Sequence, residues 1–181
     1  MSTYERRKEA SLWWYNYSSN LRASAAALRF SCNPEYAPTF SEEYGLGHGF
    51  LMGIAVQPAY MMLCGMSLEL LFKAIIVKKG LIVNDSSHDL LVQASSAGIE
   101  YSSKEKKLLR ILTHSIVWQG RYPTPKKEAP WDEFSKLVWE NLYTNVAPNG
   151  SIKRQNGALD WKGYGVLWSK AAQTYWVTRP D

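Results

Sequence analysis

Cysteine is scarce in this 181-residue sequence, which has two, Cys32 and Cys64. A pair so placed supports neither a disulfide framework nor a zinc site by spacing, so a reducing compartment and a cytoplasmic location are expected. Histidine is nearly as rare. No two of His48, His88 and His114 stand at H-x3-H spacing and neither Cys neighbours a His in sequence, so no metal and no cofactor are expected. A P-loop is missing, because Gly45-Leu46-Gly47-His48-Gly49 lacks both the following Lys and a preceding strand and reads as a flexible connector. G-x-S-x-G is missing too, which removes the corresponding serine hydrolase arrangement. Met1 to Lys8 is basic but leads into Trp, Tyr, Asn and Ser rather than an apolar run, so no signal peptide is expected. Charge is absent from Tyr44 to Leu68. Gly45, Gly47, Gly49, Gly53, Gln57 and Pro58 interrupt that stretch, and its apolar pattern runs on into Glu69 and Lys73. A buried central helix is expected there, and no membrane span.

What is present describes one globular domain. Hydrophobic residues make up 46% and charged residues 20%, which excludes a disordered chain. Eight Trp and eleven Tyr supply large buried areas and flat docking surfaces. The net charge of +5 comes in groups: Arg6-Arg7-Lys8, Lys78-Lys79, Lys104 to Arg110, Arg121 with Lys126-Lys127, and Lys153-Arg154. That excess leaves a phosphate-rich partner open, and the same groups also fit an ordinary solvated surface.

Periodicity predicts helices almost throughout. Trp14, Tyr17, Leu21, Ala25 and Leu28 form one stripe, so residues 4–30 read as a single helix, ended by Pro34 and Pro38. Residues 31–48 read as an irregular connection. Pro58 suits the first turn of a second helix running to about Lys79, with Gly80 as its stop and Lys78 and Lys79 at the negative end of its dipole. It is apolar nearly all round, and Glu69 and Lys73 form an i,i+4 pair in the favourable order. Asn84 to Ser87 reads as a turn with cap candidates before a short helix from His88 to Ala97. Ser102 or Ser103 caps a further helix reaching Gln119. Another is expected over 131–146 and a last one over 164–177. Residues 147–163 read as mostly loop, with room for a tight hairpin-like turn. The expected architecture is all-α: an up-and-down bundle of five to six helices over 1–146, and a loop and C-terminal helix over 147–181 packing on the same domain.

One face of the helix near residue 110 could carry chemistry. Arg110 and His114 are four apart, and Arg121 lies seven further on. An imidazole that moves protons beside a guanidinium that grips phosphate is the minimum for metal-free RNA cleavage. Lys107, Arg110, Arg121, Lys126 and Lys127 are the candidate nucleic-acid contacts. The same spacing also fits a solvated helix face that happens to include a His. His88, followed by Asp89, fits a residue packed at a helix start.

Four pieces in order, Gly65-Met66-Ser67-Leu68-Glu69-Leu70-Leu71-Phe72-Lys73-Ala74, Lys79-Gly80, His88-Asp89-Leu90 and Gly120-Arg121-Tyr122-Pro123, resemble the HEPN superfamily over residues 58–125. The resemblance implies a helical bundle that dimerises, in bacterial toxin–antitoxin or defence systems or beside a nucleotidyltransferase. It makes Glu69, Lys73, His88 and Asp89 motif residues. Catalytic members are metal-independent endoribonucleases marked by Arg, four to six residues, then His. Here three residues separate Arg110 from His114 and no His follows Arg121, so the resemblance implies a nucleotide- or RNA-binding or regulatory domain first and an endoribonuclease second. A third reading is a protein-interaction subunit acting through the Trp-rich C-terminal part.

Overall fold

The computed structural model describes residues 2–47, 49–84, 86–147, 150 and 152–179. His48, noted above, and Asp85, inside the turn expected from Asn84 to Ser87, lie outside the described residues. The fold is all-α, with a C-terminal extension. In chain order the helices are α1 Thr3–Glu9, α2 Ser11–Ser31, α3 Ala37–Glu43, α4 Met52–Ala55, α5 Gln57–Lys78, α6 Leu90–Ser96, α7 Ser103–His114, α8 Glu128–Leu142 and α9 Trp161–Val177. A π-helical turn, Ser115–Gln119, prolongs α7.

Helix α5 is the axis. Leu68, Leu71, Phe72, Ala74 and Ile75 on it are fully buried, and α2, α6, α7 and α9 all pack on it. Among the described residues it alone is long and apolar enough to cross a membrane, yet 72% of that apolar window is buried inside the protein. An isolated span would have no reason to bury Glu69 and Lys73 as well. Its stop is the expected one. Gly80 takes φ +67, and the Leu81 N–H reaches back to the Ile76 carbonyl, a C-terminal closure that a side chain at Gly80 would strain.

Polar groups fasten α2 and α9 to this axis. Ser18 Oγ donates to the Ser67 carbonyl at 2.7 Å and Ser67 Oγ donates to the Ser18 carbonyl at 3.0 Å. Ser67 Oγ then accepts from Tyr164 Oη at 3.0 Å and from Trp168 Nε1 at 3.1 Å. Three helices thus share one saturated hydroxyl in the apolar interior, where an unpaired one would be costly. Two glycines set the approach of the π turn to α5. A Cβ on Gly65 would lie 2.8 Å from Ile116 Cγ1, and one on Gly120 would lie 2.5 Å from Met62 Cβ.

Several local expectations change. The first helix breaks at Ala10, where ψ is 100° and Trp14 Nε1 donates to the Lys8 carbonyl at 2.9 Å. Residues 37–43, expected as irregular, form α3 because Pro38 sits in a first helical turn rather than ending a helix. The cap of α6 is Asp89, whose carboxylate accepts from the Leu91 and Val92 N–H groups, so this helix starts at Leu90 and not at His88. Ser102 with Glu105 forms a full capping box on α7. A short antiparallel pair, β1 Tyr143–Asn145 with β2 Lys153–Gln155, occupies a stretch expected to hold a helix end and a loop.

Candidate functional site

Two polar clusters stand out. The first grows from α7. This helix buries Leu108, Leu109, Ile111 and Leu112 and turns Lys104, Lys107 and Arg110 to water at intervals of three. His114 lies at the end of that row, its side chain only 14% exposed. Helix α8 contributes Glu133, with Oε1 4.0 Å from Arg110 Nη1 and Oε2 3.6 Å from His114 Nε2. The rings of Trp118 and Phe134 close over the imidazole, Phe134 at a centroid distance of 5.7 Å.

The protonation of His114 follows from its neighbours. Trp118 Nε1 can only donate, and it points at His114 Nδ1 at 3.3 Å. Nδ1 therefore presents its lone pair, and in the neutral ring the proton sits on Nε2, facing Glu133. Burial holds the imidazole below its ordinary value of 6.5; Glu133 pulls upward and the Arg110 cation pushes down again. At neutral pH this is an uncharged side chain whose lone pair, on Nδ1, is taken by the Trp118 N–H, while Nε2 lies 3.6 Å from the Glu133 carboxylate. Nδ1 is thus not open to take a proton from a ribose hydroxyl.

Arg121 is used differently from Arg110. The π turn and the bend after it bring its guanidinium back onto the chain, where Nη2 donates to the carbonyls of Val117 at 2.7 Å and Ile116 at 3.3 Å. It satisfies a helix end. Lys126 and Lys127 are exposed in the turn leading to α8, and Lys127 is its N-cap residue. Arg110 and His114 are thus drawn together by Glu133, while Arg121 is occupied by the backbone. Glu133 and Trp118 carry no mark of a site residue in the sequence. Glu133 lies on a separate helix, and Trp118 reads as one more core aromatic.

The second cluster joins three of the motif residues. Lys73 Nζ lies 2.7 Å from Glu69 Oε1, both side chains no more than 7% exposed. His88 Nδ1 reaches the same carboxylate at 3.1 and 3.2 Å from the segment before α6, its own side chain 53% exposed. Asp89 points the other way, to cap α6. One carboxylate thus holds a buried ammonium and an accessible imidazole, an arrangement that ties His88, just before α6, to α5.

No group of three or more metal-ligating side chains occurs among the described residues. No family model, curated protein or solved structure matches the chain.

Proposed function

We propose that this chain is a HEPN-like helical module that binds RNA or nucleotide phosphates and regulates a partner, in a bacterial toxin–antitoxin or defence setting. The observation that carries the reading is the row Lys104, Lys107 and Arg110 along the exposed face of α7. The two lysines have no carboxylate within reach among the described residues. Ammonium groups free of counter-charge are the usual contacts for a phosphate backbone, and Arg110 at the end of the row can add a bidentate grip by leaving a long 4.0 Å contact with Glu133. The meeting of Glu69, Lys73 and His88 supports the HEPN resemblance, because residues from separate motif pieces share one carboxylate. The partner classes that resemblance implies are a second copy, a nucleotidyltransferase or an antitoxin.

The test is fluorescence anisotropy with a short labelled RNA at low ionic strength. Wild type should bind, and Lys107→Glu with Arg110→Glu should weaken binding at least tenfold while circular dichroism stays unchanged. Absence of binding by folded wild-type protein would remove the reading. Binding is favoured over cleavage because the lone pair of the neutral His114 ring is already engaged by the Trp118 N–H. Chelator-resistant RNA cleavage that disappears in His114→Ala would reverse that preference.

A further inference from the structure

Where the C-terminal half of α2, the start of α5 and the turn before α9 meet, a cleft of about 60 Å³ is lined by Arg29, Gln57, Tyr60, Gln155 and Asp160, among others. Tyr60 is 2% exposed, yet its hydroxyl has no hydrogen-bond partner among the described residues. The neighbour one turn on is the Cys64 thiol, whose sulfur is at best a weak acceptor for that hydroxyl. Buried hydroxyls are normally paired, so an orphan at the wall of a cleft points to a missing acceptor.

The surroundings give the sign of that acceptor. The Arg29 guanidinium has no carboxylate partner among the described residues, and the Gln57 amide makes no side-chain hydrogen bond there. Arg22, two turns earlier on α2, has its Nε buried and unpaired, with its guanidinium over the Trp168 and Trp161 rings at 4.1 and 5.2 Å. The one carboxylate among the lining residues, Asp160, accepts through Oδ1 from the Gly163 N–H at the start of α9. Arg29 also borders a neighbouring groove of about 330 Å³ walled by Phe30, Pro34 and Trp161. The buried Tyr60 hydroxyl beside the exposed Arg29 guanidinium and the Gln57 amide suits a ligand that accepts hydrogen bonds, and the cleft has several times the space one water needs.

We propose that this cleft binds an oxyanion, phosphate or carboxylate, carried on a flat ring that lies in the Phe30–Trp161 groove. The site shares no residue with the α7 row, so it stands or falls separately from RNA binding. Isothermal titration calorimetry on the intact chain with inorganic phosphate, benzoate and phenyl phosphate tests it. A ring-bearing probe should bind at least roughly tenfold tighter than inorganic phosphate, since the ring buries apolar area. Whichever of benzoate and phenyl phosphate binds tighter identifies the head group. Arg29→Gln should abolish binding. Tyr60→Phe should weaken it by roughly tenfold, the worth of one hydrogen bond, and keep or raise the melting temperature by removing an orphan hydroxyl. Lys107→Glu should bind as wild type. Three outcomes would each overturn the proposal. These are no heat with any probe at millimolar concentration, unchanged binding in Arg29→Gln and Tyr60→Phe, or a lower melting temperature for Tyr60→Phe, which would mean that its hydroxyl is already paired.

Discussion

The Glu69–Lys73 pair makes the sharpest prediction available from a single carboxylate. Removing one member of a buried pair strands the other charge, so Glu69→Gln should cost about 3–5 kcal/mol, whereas Glu69→Met with Lys73→Met should cost clearly less, because it strands no buried charge and loses only the contact with the half-exposed His88. Urea denaturation of the two variants checks this, and equal losses in both would mean that the pair itself is worth more than its burial. At Gly65 a side chain would meet Ile116 Cγ1 at 2.8 Å and the Leu112 carbonyl at 3.0 Å. Gly65→Ala should therefore destabilise by about 1–3 kcal/mol despite improving helix propensity. His114 makes a pH prediction. Its folded pKa lies below 6.5, so the folded state binds fewer protons than the unfolded one. Its stabilising contribution is complete above the ordinary value and is lost as pH falls through the folded one. Thermal melts between pH 7.5 and 5 should show a stability loss that is smaller in His114→Phe. An identical loss in both proteins would place the acid sensitivity elsewhere.

Among the elements, α9 decides what the Trp-rich end is for. Tyr164, Leu167, Trp168, Ala171, Ala172 and Tyr175 are buried against the bundle, and Lys78 Nζ ties the helix end through the Tyr175 carbonyl at 2.8 Å. Each large side chain is worth about 1.5–3 kcal/mol on burial, and together they rival the roughly 5–15 kcal/mol that holds an ordinary domain. Deleting residues 147–181 should therefore unfold the protein, seen as loss of the helical circular dichroism signal and cooperative melting. A truncated chain that stays folded would return this segment to the role of a detachable partner surface. The elements also show where sequence reading works. Helix α5 is legible because its apolar pattern, first-turn Pro58, Glu69–Lys73 spacing and Gly80 stop are all local. The break at Ala10 is not, since neither Pro nor Gly marks it. Ser18 gives no sequence signal because its partners Ser67, Tyr164 and Trp168 are distant along the chain, and periodicity sees no long-range hydrogen bond. The candidate site is half legible. Arg110 beside His114 follows from helical spacing, but the approach of Glu133 depends on how α8 folds back. The diversion of Arg121 depends on a π turn that no residue pattern announces.

At the scale of the whole molecule, oily stripes on α2, α6, α7 and α9 cover one apolar axis, and the polar side of α7 is left in water with its lysines unneutralised. That surface is the basis of the functional reading. A protein held to RNA by such charges must release counterions on binding, so affinity has to fall with salt in proportion to the phosphates engaged. The measurement that tests this most directly is the slope of log K against log salt concentration for a short single-stranded RNA, in wild type and in Lys107→Ala. The expected result is a clearly negative slope in wild type that becomes shallower by roughly 0.7 in the variant, because one phosphate fewer of the single strand is neutralised. A flat wild-type slope, or one that Lys107→Ala leaves unchanged, would contradict it.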